Sequence, residues 1–364
     1  MSMRLLYLSR GRGFGHAVVD IQIALWLRER FPRLDIVFAS YGDGASLISN
    51  SVFEFSRLQI TEDSEMQAQI VIPEIHRVID LLSPQIILSD EVFLAPPAAK
   101  FRSIPCILLT HWFFSELGLD TPLYRSLDSL MCMAEKVLLL DMEPFHKVPA
   151  PLRSKVKFIG PIIRDSFVPY IDAKPDWEPE FDVVITMGGK TRAFIREIQK
   201  ILDALFVLSE QGKELNTMLV VPGMREYFEA YVRAKGMNSV VVRDFVSDIA
   251  ALVHSARLTV GRGSYTTLAE LATLGKPSLH LLADGNPVDE FHVLNFATLG
   301  TIQWERASRI NVASTAQLIW SSFMWAQQNQ TNVMEAGSIY RRCNSRLEIE
   351  TVFDDILSDI GFSD

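Results

Sequence analysis

The stretch Met3-Arg4-Leu5-Leu6-Tyr7-Leu8-Ser9-Arg10-Gly11-Arg12-Gly13-Phe14-Gly15-His16 decides how the chain is read. The apolar run from Met3 to Leu8 reads as a strand, the three alternating glycines as a turn, and the segment beyond them as an amphipathic helix. Strand, glycine turn and helix together open a ligand site at the carboxyl end of the first strand of an α/β sheet. There the backbone can approach a ligand closely and helix N-terminal N–H groups face outward. A histidine at that mouth, His16, can act as a base. The spacing Gly11-x-Gly13-x-Gly15 departs from the dinucleotide fingerprint G-x-G-x-x-G. No carboxylate closes a second strand about 20 residues further on to hold a ribose, so a nicotinamide or flavin site has little support. Taken alone, the turn fits a structural bend followed by a helix-capping histidine equally well.

Outward from this stretch, apolar runs alternate with helix-period segments, the pattern of parallel sheets covered by helices on both faces. The strands expected in the first half are Met3–Ser9, Asp35–Ser40, Ile86–Ser89, Cys106–Thr110 and Val137–Leu140. In the first helix Ala17, Ile21, Ala24, Leu25 and Arg28 recur at three- and four-residue steps, with charge gathering at Arg28, Glu29 and Arg30 before Pro32. Pro161, Pro169, Pro175 and Pro179 then fall among polar residues, the composition of a linker. The alternation restarts with Phe181–Met187, Met218–Val221, Val240–Arg243, Leu258–Val260 and Ser278–Leu282. This half also opens on strand, glycine turn and helix, at Met187-Gly188-Gly189-Lys190-Thr191-Arg192.

The 364 residues suit two domains. With 48% apolar and 22% charged residues the chain has the composition of a soluble globular protein. A net charge of −9 argues against general nucleic-acid binding, which needs a basic field. Cys106, Cys132 and Cys343 lie far apart without metal-ligand spacing, which fits a reducing, cytoplasmic compartment. No stretch approaches the ~20 apolar residues that span a bilayer, so any membrane contact is expected to be peripheral.

The segment from Val242 to Gly300 is the most specific in the chain. It contains Arg243-Asp244-Phe245-Val246-Ser247-Asp248-Ile249, then Gly261-Arg262-Gly263-Ser264-Tyr265-Thr266-Thr267-Leu268-Ala269-Glu270, then Gly275-Lys276-Pro277. These runs resemble the donor-binding half of GT-B glycosyltransferases, such as the peptidoglycan N-acetylglucosaminyltransferase and the plant and antibiotic-pathway UDP-sugar transferases. The resemblance is strong in the second half and loose in the first. It implies an α/β protein of GT-B architecture, with two Rossmann-like domains whose parallel sheets face each other across a cleft. The expected boundaries are an acceptor-binding domain at 1–162, a linker at 163–180, a nucleotide-sugar domain at 181–344, and a C-terminal helix at 345–364 packing back on the first domain.

The resemblance also implies residue roles. Phe245 and Val246 would meet the uracil ring. The Ser264-Tyr265-Thr266 turn beside Arg262 would hold a diphosphate oxygen on helix N–H groups, and Glu270 would accept from the ribose hydroxyls. Gly188, Gly189, Lys190 and Thr191 would form a second phosphate contact. In Asp289-Glu290-Phe291-His292-Val293-Leu294-Asn295 the family carries Asp-Gln or Gln-Gln before Asn. Here His292 replaces the usual Gln and Asp289 lies one step further away, so the sugar is not fixed by the motif. Residue by residue, capping by Ser264 and Thr266 and a solvated charge at Glu270 are the plain alternatives.

In the same family the histidine after the first glycine turn is the general base, as His16 would be. Asp90, closing Ile86-Ile87-Leu88-Ser89-Asp90 ahead of Ala95-Pro96-Pro97-Ala98-Ala99, matches its orienting carboxylate. Phe14, Gly15, His111 and Trp112 would line the acceptor side. No Asp-x-Asp metal pair is found, so the resemblance implies an inverting, metal-independent transfer with no cofactor beyond a UDP-type nucleotide-sugar co-substrate. The partners are then that nucleotide sugar and a hydroxyl acceptor, small or lipid-linked, with no nucleic acid. Two rival readings stay open: a nucleotide-sugar hydrolase or epimerase on the same fold, and a nucleotide-sugar-binding protein without turnover.

Overall fold

The computed structural model describes residues 3–117, 122–171, 173 and 179–362, without the side chains of 122–126 and 189–191. The chain forms two compact units. One comprises Met1–Ile162 together with Cys343–Asp364, and the other Ile163–Arg342.

The first unit runs β1 (Met3–Ser9), α1 (Phe14–Arg30), β2 (Leu34–Ser40), α2 (Gly42–Ile48), β3 (Glu54–Arg57), α3 (Ala68–Leu82), β4 (Ile86–Asp90), α4 (Ala95–Phe101), β5 (Cys106–Thr110), α5 (Pro122–Met131), β6 (Lys136–Leu139) and β7 (Val156–Phe158). The strands make one parallel sheet in the order β3-β2-β1-β4-β5-β6-β7. Alternation along β1 divides its side chains between two cores. Leu5 and Tyr7 pack with α1, and Leu6 and Leu8 pack with α3 and α4. Burial on both faces explains why β1, β4 and β5 read as unbroken apolar runs.

The second unit runs α6 (Val168–Ile171), β8 (Phe181–Thr186), α7 (Ile195–Glu210), β9 (Thr217–Val220), α8 (Arg225–Ala234), β10 (Val240–Arg243), α9 (Ile249–His254), β11 (Ala256–Gly261), α10 (Tyr265–Leu274), β12 (Ser278–Leu282), α11 (Pro287–Thr298), β13 (Ile302–Arg306) and α12 (Val312–Arg341). Its parallel sheet has the order β10-β9-β8-β11-β12-β13. Val183 and Ile185 face a core built with α7, α8 and α12, and Val184 faces one built with α9 and α10. In the long α12, Gly337 passes so close to α10 that a Cβ there would lie 1.9 Å from the Ala272 carbonyl oxygen. The last helix, α13 (Ser345–Asp359), belongs to the first unit, where Ile349, Val352, Phe353, Ile356 and Leu357 join the α1-side core.

Three differences from the sequence reading have physical causes. The expected linker at 163–180 starts as part of the second unit, because Phe167 is buried in the core beside Phe181 and Leu271. Strands β3, β7 and β13 escaped notice because they are short and only partly buried edge strands, lacking the continuous apolar run that marks the interior ones. The face of α1 is also wider than its spacing suggested. Val19, Asp20, Gln22, Ile23, Trp26 and Leu27 are buried along with Ala17 and Ala24, because α1 is covered by the sheet and by α13. Among the described residues no helix is long and apolar enough to cross a membrane.

Candidate active site

In each sheet the strand order reverses direction once, between β1 and β4 in the first unit and between β8 and β11 in the second. The crevice beyond the carboxyl ends of such a strand pair is where open α/β sheets bind ligands. In the first unit that position holds the Gly11–Gly15 turn and Asp90. The turn needs its glycines. Gly13 has φ 70°, and a Cβ on Gly11 would lie 2.0 Å from the Tyr41 carbonyl oxygen. The turn delivers His16 in the first turn of α1, where its Nδ1 lies 2.6 Å from Asp90 Oδ2. Asp90 is fully buried, and the His16 side chain keeps 19% of its surface exposed. A buried carboxylate on Nδ1 fixes the tautomer that leaves Nε2 as the acceptor. Burial and the Arg10 charge hold His16 below its ordinary pKa against the pull of Glu91, so the ring is neutral near pH 7 and able to take a proton.

The dyad sits in a charged nest that sequence reasoning missed. Arg10 follows β1 and Glu91 follows β4. Arg10 Nη1 donates to Glu91 Oε2 at 2.5 Å and Nη2 donates to Glu65 Oε1 at 2.7 Å. Tyr41 donates its hydroxyl to Glu65 at 2.6 Å, and Arg12 lies 2.8 Å from the same carboxylate. Glu91 occupies the left-handed region at φ 49°, an unfavourable conformation for a residue with a Cβ and one that concentrates at functional sites. Burial pushes its carboxyl upward, but the His111 hydrogen bond and the charges of His16 and Arg10 overcome this and hold it well below the usual carboxylate range. Its Oε2 is 3.8 Å from His16 Nε2. The available signal was positional, since both Arg10 and Glu91 are the first residues beyond the two strand ends at the reversal point.

The expected acceptor residues divide. Phe14 and Gly15 are half-buried beside His16. The His111 ring lies 6.0 Å from the His16 ring, edge to face, and its backbone N–H and Nδ1 both meet Glu91 Oε1. Trp112, by contrast, is buried between Phe93 and Phe114 at 5.3 and 4.7 Å. The strand end turns its side chain into the core, away from the open position expected of an acceptor-lining ring.

In the second unit the reversal point holds Met187-Gly188 after β8 and Arg262-Gly263 after β11. Gly188 has φ 64°, with no described residue within 4 Å of where a Cβ would stand, and begins the 3₁₀ turn Gly188–Phe194. The side chains of Lys190 and Thr191 and the surroundings of Gly189 lie outside the described residues. Gly263, at φ 85°, bends the chain so that Ser264 precedes α10 in extended conformation. Ser264 does not cap the helix; its hydroxyl donates to Thr267 Oγ1 at 3.1 Å. The helix N-terminus, half-buried at Thr266, follows directly on the Gly263 bend, and its first-turn N–H groups are not taken up by the Ser264 hydroxyl. Tyr265 turns its ring inward, 4.8 Å from His292 and 6.1 Å from Phe296.

Arg262 lies over the Phe194 ring at 5.6 Å, with Nη1 3.9 Å from Asp289 Oδ2. Asp289 also closes the first turn of α11 with the Asn286 amide. Phe245 is 74% exposed and, with half-buried Val246, lines a cavity of about 580 Å³ shared with Tyr170, Arg243 and Ala251. An aromatic ring left in water at a cavity mouth is a ready stacking surface.

Two donor-side candidates are buried and already packed or paired. His292 is buried, because α11 turns residues 292, 293 and 296 towards α10, and the ring is a packing group. Glu270 is buried too, and both its oxygens accept from Arg164, Oε1 from Nε at 2.5 Å and Oε2 from Nη2 at 2.8 Å. A ribose would meet only the remaining lone pairs of Glu270, or would take the place of Arg164.

No family model matches the chain, and no curated protein matches it. Solved structures do match over almost the full length. MurG from Acinetobacter baumannii is 14% identical, with 97% of this chain and 99% of that one covered and a TM-score of 0.67. A UDP-glucosyltransferase from Polygonum tinctorium capable of glucosylating indoxyl is 13% identical, covering 98% and 99%, with a TM-score of 0.71. TcCGT1, solved in complex with UDP, is 12% identical, covering 98% and 100%, with a TM-score of 0.70. The chain has the fold of these glycosyltransferase structures, the GT-B fold, as the motifs in its second half implied.

Proposed function

We propose that the protein is a glycosyltransferase that moves a sugar from a UDP-type nucleotide donor to a hydroxyl acceptor, with inversion and without a metal ion, and that His16 is its general base. The observation that carries this reading is the 2.6 Å contact between His16 Nδ1 and fully buried Asp90 at the strand-reversal point of the first sheet. The UDP named with TcCGT1 and the UDP-glucosyl transfer named for the Polygonum protein support the donor class, on the strength of shared fold. Membrane contact, if the acceptor is lipid-linked, is peripheral in this reading.

The chemistry follows from the residues. His16 Nε2 takes the acceptor hydroxyl proton as the oxygen attacks the anomeric carbon. The bond from that carbon to the diphosphate oxygen breaks on the opposite face, and the nucleoside diphosphate leaves with the electron pair, inverting the centre. Asp90 stabilises the imidazolium formed. Amides at the start of α10 and beside Gly188 meet the diphosphate charge, and Phe245 and Val246 meet the base. A positioned base of this kind contributes about 100- to 10,000-fold in rate.

The test is a donor and acceptor screen with UDP sugars, followed by His16→Ala. Turnover should fall at least about 100-fold while UDP affinity, read as a thermal shift, stays within about twofold. Stoichiometric UDP release without acceptor would replace this reading by hydrolysis, and undiminished turnover in the variant would remove His16 from the mechanism.

A further inference from the structure

Behind the His16–Asp90 contact lies a second buried carboxyl that plays no part in the mechanism so far. In β1, Tyr7 and Ser9 point to the same face of the sheet as α1, and Ser9 pairs in register with Asp90 on β4. His16 and Asp20 stand four residues apart on α1 and share the helix face turned to that point. Asp20, Asp90, Tyr7 and Ser9 are all fully buried.

Accounting for every polar atom here leaves a specific deficit. Tyr7 donates its hydroxyl to Asp20 Oδ1 at 2.7 Å, and His16 Nδ1 meets Asp90 Oδ2 at 2.6 Å. Asp20 Oδ2, Asp90 Oδ1 and Ser9 Oγ remain, buried and without a hydrogen-bond partner. Ser9 brings one O–H to the two carboxyl oxygens, Asp20 Oδ2 and Asp90 Oδ1. Two ionised carboxylates are acceptors only, so side by side they repel and one oxygen at least stays orphaned in a medium of low dielectric. One added proton resolves all of it, as in other sites where two carboxyls share a proton.

We propose that Asp20 is a carboxylic acid whose Oδ2–H is donated to Asp90 Oδ1, which makes it a positioning residue for His16. A relay then runs from Tyr7 through neutral Asp20 to ionised Asp90 and on to His16, carrying one negative charge instead of two. The proton sits on Asp20 because the Arg10 guanidinium acts on Asp90 and favours its ionised form, while no guanidinium is among the groups that act on Asp20. Asp90 is faced by His16 and Asp20 from α1, by Tyr7, Ser9 and Arg10 from β1 and the residue after it, by Glu91 on its own segment, and by His111 after β5. Asp20 is faced by Tyr7, Ser9, His16 and Asp90. Burial and then the Asp90 charge push Asp20 well above the carboxylate range, while burial and then the Glu91 charge raise Asp90 only to about 7, so Asp20 is the carboxyl that holds the proton more tightly. Holding Asp90 by its far oxygen turns the near one onto Nδ1, and so keeps Nε2 free to accept.

The proton assignment stands without sugar transfer; its value to catalysis rests on His16 being the base. The experiment is infrared difference spectroscopy at pH 7 on the whole protein and on Asp20→Asn, combined with NMR titration of the His16 ring assigned by His16→Gln. The wild type should show a buried protonated-carboxyl C=O stretch that Asp20→Asn abolishes, while His16 keeps its Nδ1–H tautomer because the Asn amide donates in place of the acid. In Asp20→Leu, Asp90 should take up a proton itself and the proton affinity of His16 should fall about tenfold, as it loses an ionised partner. An unchanged carboxyl band in Asp20→Asn overturns the assignment, and an unchanged His16 titration in Asp20→Leu overturns the positioning role. If both spectroscopic results hold and no sugar is transferred, the relay survives and the glycosyltransferase reading falls.

Discussion

The most exposed consequence of the fold for stability is the pH dependence built around His146. Its side chain is fully buried between two carboxylates, with Nδ1 3.0 Å from Glu116 and Nε2 3.2 Å from Asp141. Burial alone would drive the proton off, but the Asp141 and Glu116 hydrogen bonds and charges outweigh it and raise the group from 6.5 to about 9. At about 1.4 kcal/mol per tenfold in proton affinity, this rise corresponds to about 3 kcal/mol of stability. That is within the range found for breaking a buried pair. Because the folded value is the higher one, the contribution is complete below the unfolded pKa, near 6.5, and disappears as the pH climbs through about 9. The perturbation is His146→Gln, and the assay is urea unfolding followed on the transition of the first unit at pH 6, 7.5 and 9.5. The wild type should lead the variant by about 3 kcal/mol at pH 6 and by much less at pH 9.5. A gap that stays constant across this range, or widens with pH, refutes the reasoning, since it would mean that His146 is neutral in the folded state and contributes by packing alone.

Two further outcomes are expected in the second unit. Arg164→Ala strands buried Glu270 without its cation and should cost about 3–5 kcal/mol in urea unfolding, with Glu270→Gln on the same background recovering part of it; a loss below about 1 kcal/mol would show that the pair is open to water. Gly337→Ala forces α12 away from the Ala272 carbonyl and should lower the melting temperature of that unit by several degrees, about 1–3 kcal/mol or more, whereas exposed Glu335→Ala in the same helix should leave it nearly unchanged.

What the sequence reveals and what it hides follow from how each residue type signals its place. Interior strands such as Cys106–Thr110 are legible because burial on both faces writes five apolar or neutral residues in a row. The His16 and Asp90 pair is legible because each sits next to a strand end marked by a glycine turn or an apolar run. Asp20 is hidden in the middle of a helix, where a lone acid reads as a solvent-facing residue. Only register across β1 and β4 places it behind Asp90. Glu65, far along the chain in a segment with no strand or helix, is likewise joined to Arg10 by tertiary contact alone. On the donor side, a motif of the right letters in the right order reveals the Gly263 turn and α10. It cannot tell that Arg164, more than a hundred residues earlier, has already claimed Glu270.

The placement of α13 has a consequence for biogenesis. Residues 349–357 complete a core whose other buried members end at Ile162, and the whole second unit is synthesised in between. On the ribosome the earlier-made unit must therefore wait, with the groove against α1 uncovered, while the later-made one can already close on itself. Vectorial order is inverted, and a nascent chain stalled near Arg342 would display an apolar trench of the kind chaperones hold.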